Sequence, residues 1–376
     1  MPRPHRWRPS PTARRTGVLA ACVALAAYTG FRPPSAWTAT LQSISWQGGF
    51  HRRFVVGTVL HPFAEWSHYA YGVFAIWSYA VLAALVAVLA VAAVRTRVPA
   101  RRMLVAAWFV LPTGGYLFHE VGYFEQVLFL ALFGAWWLVA RGRWVAAAAV
   151  MAVSVCVHEI AVLTVLPLFT LVVARALPAR RALAAVAPSV LAGALVLVVS
   201  PAADGATGRL ALRLRGADFP ARSDVLEIFD RTQAQSMRMY APLDVLLFLT
   251  PLTLLLAAAL ALAFARGTVA GVHRLLAIGA ATAPVLAAFA GWDTHRWAFL
   301  LLANSAVVVW WWLGQDAAGR VRTAARYRVL VAAALLCTHV PLAYFDGFAP
   351  RELTGTELRA FVHDATSGDL LRAPRQ

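Results

Sequence analysis

Two His–Glu pairs, His119–Glu120 and His158–Glu159, each follow an apolar run and are the first candidates for chemistry in this sequence. A carboxylate beside an imidazole can act as a general base, because its neighbour tunes its pKa. A zinc-protease motif needs a second His three positions after the Glu, where this chain has Tyr and Val, so no such metal site is expected. The alternative interpretation is that each Glu pairs with an Arg and joins two helices.

Adjacent arginines, Arg52 and Arg53, lie in a segment that is bracketed by glycines. The planar guanidinium group binds phosphate through two parallel hydrogen bonds, so this pair suits a phosphorylated ligand. Gly57 would let the backbone approach such a ligand closely. The alternative is a pair of snorkelling side chains that anchors the chain among lipid headgroups.

A short segment between two later apolar runs contains Asp293, His295 and Arg296. Arg296 could bind an anionic group while Asp293 orients it; alternatively, the two residues form a local pair three positions apart. Glu65, close in sequence to the adjacent arginines, is a third candidate base.

The elements that position these residues are predicted to be membrane-spanning helices. The chain has 376 residues, of which 61% are hydrophobic and only 14% are charged, too few for the surface of a soluble domain. Its arginines cluster between apolar runs, so the net charge of +17 indicates the positive-inside pattern and not a nucleic-acid partner. Phosphate-binding loops, dinucleotide fingerprints and nucleophile elbows are absent from the sequence, so a nucleotide-using reaction in the cytoplasm has no support and no cofactor is expected. No metal is expected either, because arginines can neutralise a phosphate.

Apolar runs predict about eleven helices, several of them short, in one all-α membrane domain over 1–376. The runs are 17–31, 69–94, 103–118, 124–140, 144–158, 160–174, 182–200, 243–265, 275–290, 297–313 and 329–345. The distribution of arginine places the N-terminus inside and the C-terminus outside. Residues 32–68 and 201–242 are then outer loops, and 346–376 is an outer tail that contains a short surface helix.

Several of these runs are too short for a full crossing. About fifteen residues span ~22 Å at 1.5 Å per residue, against a ~30 Å hydrocarbon core. The two His–Glu tips are therefore expected below the outer surface, lining a cleft. Ionisable residues from four segments converge there, and groups at such depth persist where they pair or line a wet cavity. They are Arg52, Arg53, His61, Glu65, His119, Glu120, Glu125, His158, Glu159, Asp293, His295 and Arg296.

With its span count, long outer loops, Arg52–Arg53 stretch and Asp293-x-x-Arg296 at a helix start, the chain resembles polytopic bacterial envelope-polysaccharide polymerases and GT-C glycosyltransferases. The resemblance implies glycosyl transfer from a polyprenyl-phosphate-linked sugar on the outer face of the inner (cytoplasmic) membrane. GT-C enzymes usually carry an Asp in the first outer loop, whereas Glu65 is the only acid within 32–68.

The resulting hypothesis gives each candidate a role. Arg52, Arg53 and Arg296 hold the donor phosphate, while Glu120 or Glu159, with Glu65 in reserve, deprotonates the acceptor. The other expected substrate-binding residues are His119, His158, Asp293 and His295. Two alternatives remain: a transporter or flippase for an anionic lipid or metabolite, whose carboxylates couple to protons, and a non-catalytic partner in envelope assembly.

Overall fold

The computed structural model describes residues 11–50, 52–199, 205–230, 235, 242–265, 271–289, 293–314, 348–367 and 369–374. Within these ranges the chain is helical and contains no strand, so the predicted all-α class is confirmed. The last predicted span, 329–345, lies outside the described residues, as do the N-terminal Arg3, Arg6 and Arg8.

Sixteen helices follow one another along the described chain. They are α1 Pro11–Gly30, α2 Ala36–Gln42, α3 Phe54–Trp66, α4 Tyr71–Arg95, α5 Pro99–Val110, α6 Pro112–His119, α7 Phe124–Ala140, α8 Trp144–Val157, α9 Val165–Ala176, α10 Ala179–Val199, α11 Ala206–Arg213, α12 Ser223–Asp230, α13 Pro242–Ala265, α14 Gly271–Phe289, α15 Thr294–Trp312 and α16 Gly355–Thr366. Short 3-10 turns occur at Trp46–Gly48, Glu159–Val162, Leu214–Gly216 and Asp369–Leu371.

Five stretches of the described chain are long and apolar enough to cross a membrane: Tyr71–Arg95, Glu159–Ala176, Ala179–Leu197, Pro242–Ala265 and Gly271–Phe289. A sixth is obtained if α6 and α7, which meet at a bend of 111°, are counted as one broken span. The sequence predicts eleven crossings, and length and composition support five to six of them. Part of the difference arises because several predicted runs form helices shorter than the ~20 residues of a full crossing, and the run 329–345 lies outside the described residues.

Helix breaks fall at both His–Glu pairs. His119 is the last residue of α6 and Glu120 follows it as the C-cap, while His158 is extended (φ −160°, ψ 128°) between α8 and the turn that begins at Glu159. A further break at Leu111 divides the predicted run 103–118 into α5 and α6. Its cause is Pro112, which lacks an amide proton and disfavours the helical conformation at the preceding residue.

The predicted outer loop 32–68 is largely helical. Ser35 caps α2, its side chain accepting a hydrogen bond from the Thr38 amide at 3.2 Å. The buried Gln42 amide then donates to Ser78 Oγ at 2.9 Å and to the Gly122 carbonyl at 2.7 Å. These bonds fix α2 against α4 and against the turn between α6 and α7.

Gly57 serves packing inside the chain. A Cβ atom at this position would collide with the backbone carbonyl of Ile44. Only glycine therefore lets α3 lie this close to the segment that follows α2. The close approach expected between Gly57 and a ligand is made instead to the protein's own backbone.

Polar side chains also join the apolar helices. Asn304, fully buried on α15, donates to the carbonyls of Thr164 at 2.9 Å and Ala280 at 2.8 Å. Such hydrogen bonds hold helices together where no water can satisfy the backbone. α15 is thereby tied to α14 and to the start of α9.

The same helix defines the two ends of the bundle. At its first turn Arg296 pairs with Glu125 of α7, whereas at its last turn the Trp310 carbonyl accepts a hydrogen bond from Arg101 of α5 at 2.8 Å. Helices α7 and α15 therefore begin at the same end, and α5 begins at the opposite end. The tail returns to the first of these ends, because Phe348 packs against His119 there, with ring centroids 5.1 Å apart.

Candidate functional site

Arg53 and Glu159 form a forked ion pair between the N-terminus of α3 and the break after α8. Arg53 Nε lies 3.1 Å from both carboxylate oxygens, and Nη2 lies 2.5 Å from Oε1. Arg52 Nη1 approaches the same oxygen at 3.9 Å. Arg53 adopts a left-handed backbone conformation with φ of 68°. This conformation is costly for a residue with a Cβ, and residues that adopt it are found disproportionately at functional sites.

His158 lies beside this ion pair as a neutral ring. Its Nδ1 accepts a hydrogen bond from the Ile160 amide at 3.1 Å, so the single ring proton is assigned to Nε2. Nδ1 also lies 3.3 Å from Glu159 Oε2. Because Nδ1 cannot donate while it accepts from Ile160, this proximity is a contact and not a salt bridge. His158 is therefore a positioned, buried imidazole and not a cation.

A second ion pair joins α15 to α7. Arg296 Nη2 bonds to Glu125 Oε1, and Nη1 lies 3.6 Å from Asp293 Oδ2. Asp293 also accepts the Arg296 amide at 3.3 Å, so the local cap considered from the sequence is present. The guanidinium group stacks 4.8 Å above the Tyr123 ring, a favourable position for a cation. Arg296 therefore takes part in both the local pair with Asp293 and the long-range pair with Glu125.

The two ion pairs belong to one group of side chains. The His158 ring meets the ring of Phe124, the residue directly before Glu125, edge-on at 6.2 Å. We call this group the charged cluster: Arg52, Arg53, Glu125, His158, Glu159, Asp293 and Arg296. Its members come from the start of α3, the start of α7, the break after α8 and the start of α15, as the sequence predicts for most of them.

Glu120 lies at the edge of the charged cluster. Its backbone carbonyl accepts a hydrogen bond from the side-chain amide of Gln126, the neighbour of Glu125, at 3.0 Å. It is only partly buried, so a substrate can reach it more readily than it can reach Glu125. Glu120 is therefore the more accessible of these two carboxylates.

Three other predicted residues lie elsewhere. Glu65 is largely exposed and contacts His61 one helical turn away, at 3.4 Å. His295 is exposed and packs on Phe248, with ring centroids 5.2 Å apart. His119 packs between aromatic rings at the end of α6.

Sequence reasoning gave no role to two residues that the structure places at the site. Glu125, one of the ionisable residues expected at this end, is 7% exposed and carries the ion pair with Arg296. Gln126 is 2% exposed and donates to the Leu117 and Glu120 carbonyls. The sequence feature that could have identified them is a pair of adjacent polar residues in the first turn of an otherwise apolar helix.

The charge balance of the cluster limits what it can bind. Three arginines face three carboxylates, so the group is formally neutral. Arriving phosphate must therefore share an arginine with a carboxylate or displace that carboxylate. Since arginine offers five donors in a fixed fork, sharing is geometrically feasible at Arg53 and Arg296.

Within the described ranges, no three His, Cys, Asp or Glu side chains gather in a way that could hold a metal ion. No protein-family model, curated protein or solved structure matches the chain. What the protein does must therefore be inferred from the chemistry of the charged cluster.

Proposed function

We propose that this chain is a membrane-embedded glycosyltransferase or polysaccharide polymerase that uses a polyprenyl-phosphate-linked sugar. In this proposal it crosses the bacterial inner (cytoplasmic) membrane about eleven times, with its N-terminus inside and its C-terminus outside, and it acts at the outer face. One observation carries the proposal: three arginines and three carboxylates from four separate segments gather at one end of an apolar helical bundle. Such groups are costly at membrane depth, and functional use is the usual reason for their presence.

The arginines supply the phosphate site. Arg53 and Arg296 present guanidinium forks whose geometry matches a phosphate group, and Arg52 adds a third positive charge. During transfer, the bond between the anomeric carbon and the donor phosphate breaks, and polyprenyl phosphate leaves with the bonding electrons. Fixed positive groups in a water-poor site stabilise that developing charge strongly.

A carboxylate supplies the base. The acceptor hydroxyl forms a bond to the anomeric carbon and gives its proton to Glu120 or Glu159. Glu159 is occupied by Arg53 until an anion competes for the guanidinium group. Phosphate binding at Arg53 would thus free the Glu159 carboxylate to accept a proton only when the donor is present.

The test uses purified protein in liposomes that contain a lipid-linked saccharide and a saccharide acceptor. Formation of free polyprenyl phosphate together with an elongated product supports the enzyme. If several donor saccharides are tested and none is cleaved or moved between leaflets, both this proposal and its alternative are refuted.

A flippase or transporter for an anionic lipid or metabolite is the second candidate. The observation that favours it is the formal neutrality of the charged cluster, in which carboxylates already occupy the arginines. An anion or a proton that arrives there changes the pairing, as a coupled carrier requires. Movement of intact donor between leaflets without bond cleavage would support this candidate against the enzyme.

A further inference from the structure

An apolar groove begins beside the charged cluster. It encloses about 330 Å³ between α4, α5, α6, α7 and α15. Its walls are hydrocarbon and aromatic groups along almost their whole length, including Leu85, Trp108, Phe129, Phe133, Ala306 and Trp310. The groove opens on the bundle surface, where its lining residues Val88 and Trp137 are exposed.

The groove is elongated along α7. Glu125, Phe129, Phe133 and Trp137 line it at intervals of four residues and so share one face of that helix. From Glu125 to Trp137 this face extends ~18 Å at 1.5 Å per residue. A cavity of this form matches an extended hydrocarbon chain better than a compact ligand.

Three buried polar atoms have no hydrogen-bond partner among the described residues. Two belong to Glu125 and Gln126, which line the charged end of the groove, and the third belongs to Arg296, which pairs with Glu125. They are the acceptors Glu125 Oε2 and Gln126 Oε1 and the donor Arg296 Nε. The orientation of the Gln126 amide is fixed, because its nitrogen already donates to two carbonyls at 2.9 and 3.0 Å. Buried polar groups nearly always have partners, and a ligand that satisfied these three atoms would supply two hydrogen-bond donors and one acceptor.

We propose that the groove binds the hydrocarbon chain of the lipid-linked donor, with its sugar-phosphate head at Glu125, Gln126 and Arg296. This inference rests on the proposed function and extends it by assigning the two parts of the substrate to two parts of one continuous site. Apolar cavities of this kind do not retain ordered water, and lipid chains are the apolar groups that a membrane supplies at its exposed edge. A sugar phosphate carries the hydroxyl groups and the anionic oxygens that the three polar atoms require.

The experiment is photolabelling of the full chain in nanodiscs with a polyprenyl-phosphate sugar that carries a diazirine within its chain. Labelled residues are mapped by mass spectrometry. On the wild-type protein we expect labels on the groove faces of α7 and α15, near Phe133 and Ala306. Excess unlabelled donor should remove these labels, whereas excess zwitterionic phospholipid should not.

A matched pair of variants tests the groove directly. Ala306→Trp fills it and should lower labelling roughly tenfold, because expelling about two methylenes from an apolar site costs that much affinity. Leu255→Trp adds bulk on α13 at a side chain that is 67% exposed, and labelling of the groove should remain unchanged. If Ala306→Trp does not fold, the wild-type map still decides the question.

Labels confined to surface residues such as Leu191 and Leu255, or labels displaced equally by zwitterionic phospholipid, would overturn the inference. Donor turnover with labels outside the groove would reject the groove and retain the enzyme. Labels in the groove without turnover or product would retain the groove as a lipid-binding site and reject the enzyme.

Discussion

Arg296 and Glu125 form an ion pair that joins the first turn of α15 to the first turn of α7 across 171 positions of the sequence. Both side chains are close to fully buried, at 12% and 9% exposure. A buried charge that loses its partner is strongly unfavourable, while replacement of both charges by apolar groups often costs little. The pair therefore fixes the relative position of two helices that also line the proposed lipid groove.

This geometry predicts a strongly non-additive pair of substitutions. Arg296→Met should destabilise the protein by about 3–5 kcal/mol, because it leaves Glu125 without a partner. Glu125→Leu should cost less, since Asp293 remains 3.6 Å from Arg296. The double variant should recover much of the loss. Thermal unfolding in detergent gives the coupling energy, and a double variant that costs the sum of the two single changes would show that the pair is not coupled.

The fork between Arg53 and Glu159 predicts that lysine cannot replace arginine. Arg53→Lys should lose donor turnover almost as completely as Arg53→Ala, because an ammonium group cannot reproduce contacts from Nε and Nη2. Arg52, whose nearest guanidinium nitrogen is 3.9 Å from the carboxylate, should be less sensitive. Arg215→Lys, at an exposed site in the turn after α11, is the control. Full turnover in Arg53→Lys with normal folded yield would remove the fork from the mechanism.

A third prediction concerns the backbone that carries the adjacent arginines. Gly57→Ala should reduce folded yield and thermal stability, because the new Cβ meets the Ile44 carbonyl. The control is Gly134→Ala in α7, where no atom lies within 4 Å of the added methyl group. That change should be neutral or slightly stabilising, as alanine favours helices. Equal melting temperatures for the two variants, measured in the same detergent, would contradict the close packing of α3.

The predicted run 124–140 coincides with α7, because a long apolar run bounded by polar residues leaves few alternatives. The run 103–118 illustrates the opposite case, since its apolar character hides the break that Pro112 imposes. Residues 32–68 were expected to form a loop; their short helices are specified by one cap at Ser35 and by packing partners far away in sequence.

At the site, the residue types and the local Asp293–Arg296 pair could be predicted from the sequence, whereas the partners in the long-range ion pairs could not. The sequence indicated Arg53, Glu159, Asp293 and Arg296 as candidates, and in the structure Arg53 pairs with Glu159 while Arg296 pairs with Asp293. Sequence reasoning could not assign Glu125 as the partner of Arg296, because that choice depends on how α7 and α15 pack. Nor could it see that His119 and His295 would pack against aromatic rings.

The fourth prediction is topological. In a protein without Cys22, Cys156 and Cys337, single cysteines at Arg215 and His295 should react with an impermeant thiol reagent from outside the cell. Cysteines at Arg143 and Ala179 should react only after the membrane is opened, because flanking arginines favour the cytoplasm. If Ala179→Cys were labelled only from outside, α10 would have the opposite orientation in the membrane, and the break at His158 would not lie at the outer face.

Donor turnover by carboxylate variants in liposomes tests most directly whether a glutamate of the site acts as the general base. Glu159→Gln and Glu120→Gln preserve shape but not basicity, so the variant of the true base should lose turnover while it still binds donor. Glu227→Gln, on an exposed part of α12, should behave like wild type. We expect loss of turnover in at least one of the two cluster variants with unchanged donor binding. Wild-type turnover in both would contradict this expectation and leave these glutamates as structural partners of arginine.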